Sequence, residues 1–142
     1  MRWSNYKSFA EVEGDSIPND PGVYYIRCID TSRNPFRIER LGGTDGEGII
    51  YIGETGRSLR TRLRGFWKSA QDYRQSRHVA GINFSYYGYG RIFPLSGLQF
   101  TFISSKNKAH SRKLEADCLW DYRKTKGFID LPPLNFSGGK TD

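Results

Sequence analysis

The chain has 142 residues, 37% of them apolar and 15% aromatic, enough for the hydrophobic core of a single domain spanning residues 1–142. It has no apolar run of the ~20 residues that a membrane-spanning helix needs, and two cysteines with two histidines do not make a four-ligand zinc site without carboxylates. These features exclude a membrane protein, a small secreted disulfide protein and a multidomain enzyme. Residues 1–15 also lack the apolar core of a signal peptide, so we expect a cytoplasmic protein with free thiols.

Most of the net charge of +7 lies in one short segment. Residues 57–78 carry a net +6, whereas residues 1–56 carry −3 and residues 79–142 carry +4. A localised basic patch is typical of proteins that bind a polyanion. A solubilising surface helix explains the same charge, and charge alone does not decide between these two interpretations.

Two strands are predicted in the first half of the chain. Residues 23–29 follow a Pro-Gly pair and are rich in β-branched and aromatic side chains, and residues 49–53 form a second apolar run that ends in glycine. The simplest arrangement is an antiparallel pair. Between them, residues 30–48 contain Asn-Pro, Gly-Gly and Asp-Gly pairs, which indicate a long loop or an irregular hairpin.

A basic amphipathic helix follows. Ser58 is placed to cap a helix that runs to about Gln75. Arg60, Arg64 and Lys68 have i, i+4, i+8 spacing and form a cationic stripe on this helix. Like charges at this spacing repel each other unless an anion lies across them. We therefore expect this region to bind nucleic acid through Arg57, Arg60, Arg64 and Lys68. Arg62 lies at the edge of the apolar face, one turn before Phe66, and is a candidate for chemistry.

The second half contains a third strand and a second main helix. Residues 98–103 alternate with period two, and residues 111–126 have helical periodicity that ends at Gly127. Glu115 lies beside the apolar stripe of this helix, and prolines extend the segment that contains Asn135. Residues 78–97 give no clear assignment, and the tyrosine cluster at 86–89 either stacks on bases or fills the core.

Five short motifs occur in a meaningful order: PGVYYI, IIYIGETG, SLRTRLRGF, LEADCLW and PPLNF. They contain, respectively, Tyr24, Tyr51, Arg62, Glu115 and Asn135. Each motif alone is weak, but in this order, and on these predicted elements, they resemble the GIY-YIG nuclease superfamily over residues 21 to 136. The resemblance implies a small α+β domain, with a three-stranded antiparallel sheet flanked by helices and a loop inserted between the first two strands.

The resemblance also implies a divalent-metal-dependent endonuclease that hydrolyses phosphodiester bonds in DNA, with RNA not excluded. Glu115 takes the role of metal ligand, and one sparsely liganded ion per site suits Mg²⁺ (or Mn²⁺). Within this pattern we favour Tyr24 as the general base and Tyr51 as the residue that orients water or phosphate, an order that the sequence does not settle. A tyrosine base requires a pKa ~2–3 units below its ordinary ~10. Arg62 would stabilise the phosphorane, and Asn135 would anchor a loop or the metal shell.

The sequence departs from the commonest family pattern in three places. The two tyrosine motifs lie 27 residues apart, and the run from the second motif to the arginine helix is one residue longer than usual. This extra residue makes Arg60 a rival for Arg62, and the SLRTRL match decides for Arg62. Some members have a histidine where this chain has Phe66, so a mechanism that needs one must use His78, which we also expect among the nucleic-acid contacts. We otherwise expect His78 and His110 to be structural residues, with proton transfer or phosphate binding as the alternative.

Two other functions remain as alternatives. One is a catalytically silent nucleic-acid-binding module of the same fold, and the other is an interaction domain whose basic helix binds an acidic protein. Only the nucleic-acid functions predict affinity that falls steeply with salt. A single site cuts one strand, so cleavage of both strands requires two encounters or two copies, such as a homodimer on DNA. Restriction, repair, mobile-element and phage-defence roles all fit the sequence.

Overall fold

The computed structural model describes residues 2–136 and has an α+β fold, which confirms the predicted class. Its main sheet is antiparallel, in the order β1-β6-β2-β5, and a separate hairpin pairs β3 with β4. The strands are β1 (Lys7–Ser8), β2 (Gly22–Cys28), β3 (Ile38–Arg40), β4 (Gly43–Asp45), β5 (Ile49–Thr55) and β6 (Leu98–Ser104). The helices are α1 (Leu59–Gln71), α2 (Val79–Tyr86) and α3 (Lys108–Trp120).

The main sheet has four strands where three were predicted. The three predicted strands are present as β2, β5 and β6, each within two residues of the expected bounds. The fourth strand, β1, is only two residues long and pairs with β6 at Lys7 and Ser8. A strand this short has no period-two signal, so the sequence did not indicate it. Within residues 2–136, no helix is long and apolar enough to cross a membrane, and both cysteines are free.

Each face of the sheet is covered by different helices. On one face, Tyr24 and Ile26 of β2 belong to the core formed with α1 and α2. On the other face, Val23 packs with Leu119 of α3. Successive strand residues point to opposite faces, so the neighbours Val23 and Tyr24 belong to different cores. The strand β5 forms one edge of the sheet, and both layers of helices reach it.

The helix caps define where α1 and α3 begin. The Ser58 side chain accepts a hydrogen bond from the Thr61 N–H, as predicted, although α1 ends at Gln71 and not at about Gln75. Helix α3 begins three residues before the predicted start because Asn107 caps it by accepting from the His110 N–H. A π-helical turn over residues 121–125 continues α3.

The inserted segment between β2 and β5 is an irregular hairpin, one of the two predicted outcomes. It packs against the C-terminal part of the chain. The Arg40 guanidinium donates to the Leu131 carbonyl at 2.6 Å, and the Tyr122 hydroxyl donates to the buried Asp45 carboxylate at 2.9 Å. The insertion therefore holds the segment that follows α3 in place.

Two arginines of the predicted cationic stripe bind the N-terminal segment of the chain itself. Arg60 Nε donates to the Ile17 carbonyl at 2.8 Å, and Arg64 Nε donates to the Val12 carbonyl at 2.9 Å. Arg64 also donates to the Glu13 carbonyl at 2.9 Å. Backbone oxygens therefore occupy the positions where the spacing led us to expect nucleic acid. This segment crosses α1 through tertiary packing, which helical periodicity does not reveal.

We predict that Arg64→Ala lowers the free energy of unfolding by about 1–3 kcal/mol, because it leaves the carbonyls at the 12–14 turn without their charged donor. Lys68→Ala, one turn further along α1 at an exposed position, should stay within about 0.5 kcal/mol of the wild type. Urea unfolding followed by circular dichroism measures both values. Equal effects of the two substitutions would contradict a structural role for Arg64.

Candidate active site

A cleft of about 280 Å³ opens where α1, α2, α3 and the C-terminal segment meet at the edge strand β5. Four of the five residues assigned to catalysis line it: Tyr51, Arg62, Glu115 and Asn135. These residues come from β5, α1, α3 and the segment after α3, and up to 84 positions separate them in the sequence. The fold therefore brings a phenol, a guanidinium, a carboxylate and an amide to one cleft.

Tyr24 lies directly behind Tyr51 and has 0% of its surface exposed. The centroids of the two rings are 6.0 Å apart. Gly53 pairs with Tyr24 across the β2–β5 ladder, and a Cβ at this position would come within 2.6 Å of the Tyr24 phenol and 2.5 Å of the Tyr51 ring. The glycine of the second motif is therefore required for the two rings to approach each other.

His78 contacts both tyrosine rings from the beginning of α2. Its Nε2 lies 2.6 Å from the Tyr24 hydroxyl, and its ring centroid is 5.8 Å from that of Tyr51 and 5.3 Å from that of Phe66. Only 2% of His78 is exposed, so this conformation does not present it to nucleic acid as the sequence analysis expected. It instead brings an imidazole to the two tyrosine rings, beside Phe66.

The contacts of His78 define which nitrogen carries its proton. The Gly81 N–H donates to Nδ1 at 3.4 Å, so Nδ1 acts as an acceptor. Burial, followed by the charge of Arg62, lowers the pKa of His78 to about 3, so the ring is neutral at physiological pH. A neutral imidazole has one N–H, which must then be on Nε2 and donate to the Tyr24 oxygen. Tyr24 accepts this hydrogen, so its own hydroxyl hydrogen is left for another acceptor.

The two phenols differ in their electrostatic surroundings but are both protonated. Burial raises the pKa of Tyr51 to about 12; the charge of Arg62 lowers it, Glu115 raises it, and a hydrogen bond from Tyr24 lowers it. The pKa of Tyr24 is raised well above its ordinary value, mainly by burial and next by Tyr51. His78 donates to Tyr24, and a hydrogen bond with Tyr24 lowers the pKa of Tyr51. These contacts favour negative charge on Tyr51, the phenol that reaches the cleft.

A second carboxylate in the cleft was missed in the sequence analysis. Glu54 lines the cleft together with Glu115, and Glu54 Oε2 is a buried oxygen without a hydrogen-bond partner in residues 2–136. In the β2–β5 register Glu54 is opposite Val23, so it lies on the sheet face that packs against α3. The signal was present, since an acid directly follows the YIG tripeptide, but the family pattern did not single it out.

Asn135 fastens the C-terminal segment to the edge of the sheet. Its Oδ1 accepts from the Ile52 N–H at 2.9 Å, and its Nδ2 donates to the Ile52 carbonyl at 2.8 Å. The Leu134 N–H donates to the Ile50 carbonyl at 2.8 Å. The Asn135 side chain thereby pairs with both the backbone N–H and the backbone carbonyl of Ile52 on the edge strand. Asn135 was expected to anchor a loop or the metal shell, and the group to which it binds is the backbone of this strand.

The remaining candidates lie outside the cleft. Arg57 and Lys68 are exposed on the surface around α1, whereas Arg60 and Arg64 hold the N-terminal segment as described above. His110 accepts a hydrogen bond from the Lys106 N–H at the beginning of α3. Because Arg62 lines the cleft and Arg60 binds a carbonyl, the structure places the guanidinium of Arg62 with the other candidate residues.

Comparison with protein-family models, with curated proteins and with solved structures finds no match for this chain. Its function is therefore argued from the side chains in the cleft. Within residues 2–136 no three His, Cys, Asp or Glu side chains form a group that could hold a metal ion. Any ion in this cleft would take two carboxylates at most from these residues, and its other ligands from water or substrate.

We predict that acid destabilises the wild type more than His78→Asn. The folded-state pKa of His78 is about 3, below the ordinary ~6.5, so between these values the unfolded chain binds the proton and the folded chain does not. Stability is therefore lost as pH falls through this window. From pH 7 to 4 the wild type should lose about 3 kcal/mol more than the variant, whose asparagine still caps α2. Urea unfolding at both pH values tests this, and parallel losses would contradict it.

Proposed function

We propose that this protein is a divalent-metal-dependent endonuclease of the GIY-YIG type that hydrolyses phosphodiester bonds in DNA. The observation that carries the proposal is the cleft shared by Tyr51, Arg62 and Glu115, which lie on three different elements. A phenol, a guanidinium and a carboxylate are the groups that this hydrolysis requires as base, phosphate donor and metal ligand. The order of the five motifs adds independent support from the sequence.

We assign the role of general base to Tyr51, although the sequence favoured Tyr24. A base must reach the attacking water, and Tyr51 lines the cleft whereas Tyr24 is fully buried. Tyr24 then acts as a positioning residue, since its hydrogen bond to Tyr51 stabilises the phenolate. Tyr51 first gives up its proton to solvent, the water oxygen then forms the new P–O bond, and the water's proton passes to the Tyr51 phenolate. The bond from phosphorus to the leaving oxygen breaks, and this oxygen keeps the bonding electron pair and takes a proton from solvent.

Arg62 would bind the phosphate that is cleaved. Its planar guanidinium matches two phosphate oxygens, and it is already positioned to lower the pKa of Tyr51. The negative charge on phosphate grows as water attacks, so a fixed cation contributes more in the transition state than in the ground state. Arg62 thereby serves two steps, the ionisation of the phenol and the stabilisation of the phosphorane.

Glu54 and Glu115 are the residues that would hold the metal ion. Mg²⁺ is commonly bound in proteins by one or two carboxylates together with waters and substrate phosphate, and this cleft offers two carboxylates, one of them with an unpartnered buried oxygen. When bound, the ion would supply positive charge that lowers the pKa of water and neutralises the phosphate. The raised pKa of Tyr51 also calls for such added positive charge.

A catalytically silent nucleic-acid-binding module is the second candidate. The observation that favours it is the raised pKa of both phenols, which leaves neither as a base at neutral pH in this state. Under both proposals the exposed cations Arg57 and Lys68 contact DNA phosphates, and affinity falls steeply as salt increases.

We predict that the wild type nicks supercoiled plasmid with Mg²⁺ and not with EDTA. Tyr51→Phe should slow nicking by about 10²–10⁴-fold, because it removes the base. Glu115→Gln should be inactive. The matched control is Tyr25→Phe, which alters the tyrosine next to Tyr24 on the opposite face of the sheet. The rate should also rise with pH, since the phenolate is the active form.

Each outcome of this assay supports or contradicts one role. Equal nicking by wild type and Glu115→Gln would contradict the metal role of Glu115. If Tyr24→Phe were inactive while Tyr51→Phe retained full activity, the base assignment would be reversed. Salt-sensitive DNA binding without any cleavage would support the silent module.

We predict that Glu54→Gln weakens metal binding directly. Electron paramagnetic resonance of Mn²⁺ added to the DNA-free protein measures the dissociation constant without relying on activity. Glu54→Gln and Glu115→Gln should each raise that constant about tenfold or more. Glu11→Gln, which changes an exposed carboxylate that does not line the cleft, is the control. Unchanged Mn²⁺ affinity of Glu54→Gln would exclude Glu54 as a ligand.

A further inference from the structure

Three exposed tyrosines form a continuous surface outside the cleft. Tyr73, Tyr86 and Tyr87 are 44%, 61% and 63% exposed, respectively. The ring of Tyr86 contacts both others edge to face, with centroids 5.4 Å from Tyr73 and 5.0 Å from Tyr87. We call these three residues the tyrosine platform. Neighbouring Tyr89 is different, since it packs on Phe84 and belongs with the core.

The tyrosine platform continues the wall of the cleft. Val79 and Asn83 line the cleft from α2, and Tyr86 lies seven and three residues after them on the same helix. Residues at these spacings share one face of an α-helix. Following this face of α2 therefore leads from the cleft to Tyr86.

The surroundings of the platform are cationic. Residues 72–91 contain three arginines and one aspartate. Arg74 lies with its guanidinium carbon 5.7 Å from the Tyr73 ring centroid and is paired with Asp72, and Arg77 and Arg91 are exposed. Aromatic faces combined with arginines are the arrangement by which proteins bind single-stranded nucleic acid, since rings stack on bases and cations pair with phosphates.

We propose that the tyrosine platform stacks on unpaired bases of a DNA strand whose backbone enters the cleft, so that the substrate carries a single-stranded segment beside the scissile bond. This inference rests on the proposed nuclease function and narrows its substrate class. In duplex DNA, neighbouring bases already stack on each other and leave few faces for the tyrosines. Unpaired bases offer such faces, and the platform is exposed enough to meet them.

The test compares DNA binding with EDTA present, which prevents cleavage. Fluorescence anisotropy would measure the affinity of the wild type and of the double variant Tyr86→Ala, Tyr87→Ala for a duplex and for the same duplex with a single-stranded flap. The variant should lose about tenfold or more in affinity for the flap DNA and little for the duplex. Tyr86→Trp should retain flap binding because it keeps a stacking ring.

Trp120→Ala is the matched control, because Trp120 is 64% exposed and lies near a cation, Lys124, but on α3. It should bind both DNAs as the wild type does. If the double variant bound the flap DNA as tightly as the wild type does, the proposal for the tyrosine platform alone would be overturned. Equal losses of affinity for the flap DNA and the duplex would overturn it as well. Tighter binding of single-stranded RNA than of DNA of the same sequence would overturn the assignment to DNA. If the wild type bound none of these nucleic acids, the proposed function itself would fail.

Discussion

The close approach of two phenol rings across Gly53 is the constraint on which the rest of the site depends. Strands β2 and β5 bring Tyr24 and Tyr51 together only because position 53 has no side chain. The pair is then enclosed by His78 and by the core around α1 and α2. Neither ring can shift by itself, because a shift of either ring requires a shift of the strand that carries it. The geometry of the cleft is thereby tied to the pairing of β2 with β5, and the proposed hydrolysis requires reacting groups in fixed positions.

Burial of these rings disfavours their charged forms, and the surrounding groups offset part of this electrostatic cost. Desolvation disfavours the phenolate of both tyrosines, whereas Arg62 favours it. The imidazole of His78 stays neutral, so it adds an oriented N–H donor without adding a second buried positive charge. The Gly81 N–H thus orients His78, whose Nε2 meets the Tyr24 hydroxyl, and Tyr24 in turn lowers the pKa of Tyr51. Of the two phenols, Tyr51 is the one that lines the cleft, whereas Tyr24 is fully buried.

The sequence was sufficient to predict those elements whose signals extend over only a few neighbouring residues. The strands around Tyr24 and Tyr51 and the Ser58 cap were predicted because alternation, β-branching and capping act over a few residues. The partners of Arg60 and Arg64 were not, since the N-terminal carbonyls reach α1 across about 50 positions. Helix α2 was missed because its few polar residues do not form one polar face, and a histidine caps it. The burial of His78 depends on where that helix packs, which only tertiary structure reveals.

The edge position of β5 explains how the site combines groups from both faces of the sheet. Tyr51 and Glu54 are three residues apart, so their side chains leave the strand on opposite faces. In a central strand, neighbouring strands would separate such groups, but at an edge both faces open into the same space. An exposed edge is also prone to pairing with other chains. Asn135 prevents this at Ile52 by taking both open backbone groups, and it stops short of Glu54. The cleft that Tyr51, Glu54 and Glu115 share therefore lies beside a fastened stretch of the edge, with Asn135 forming part of its wall.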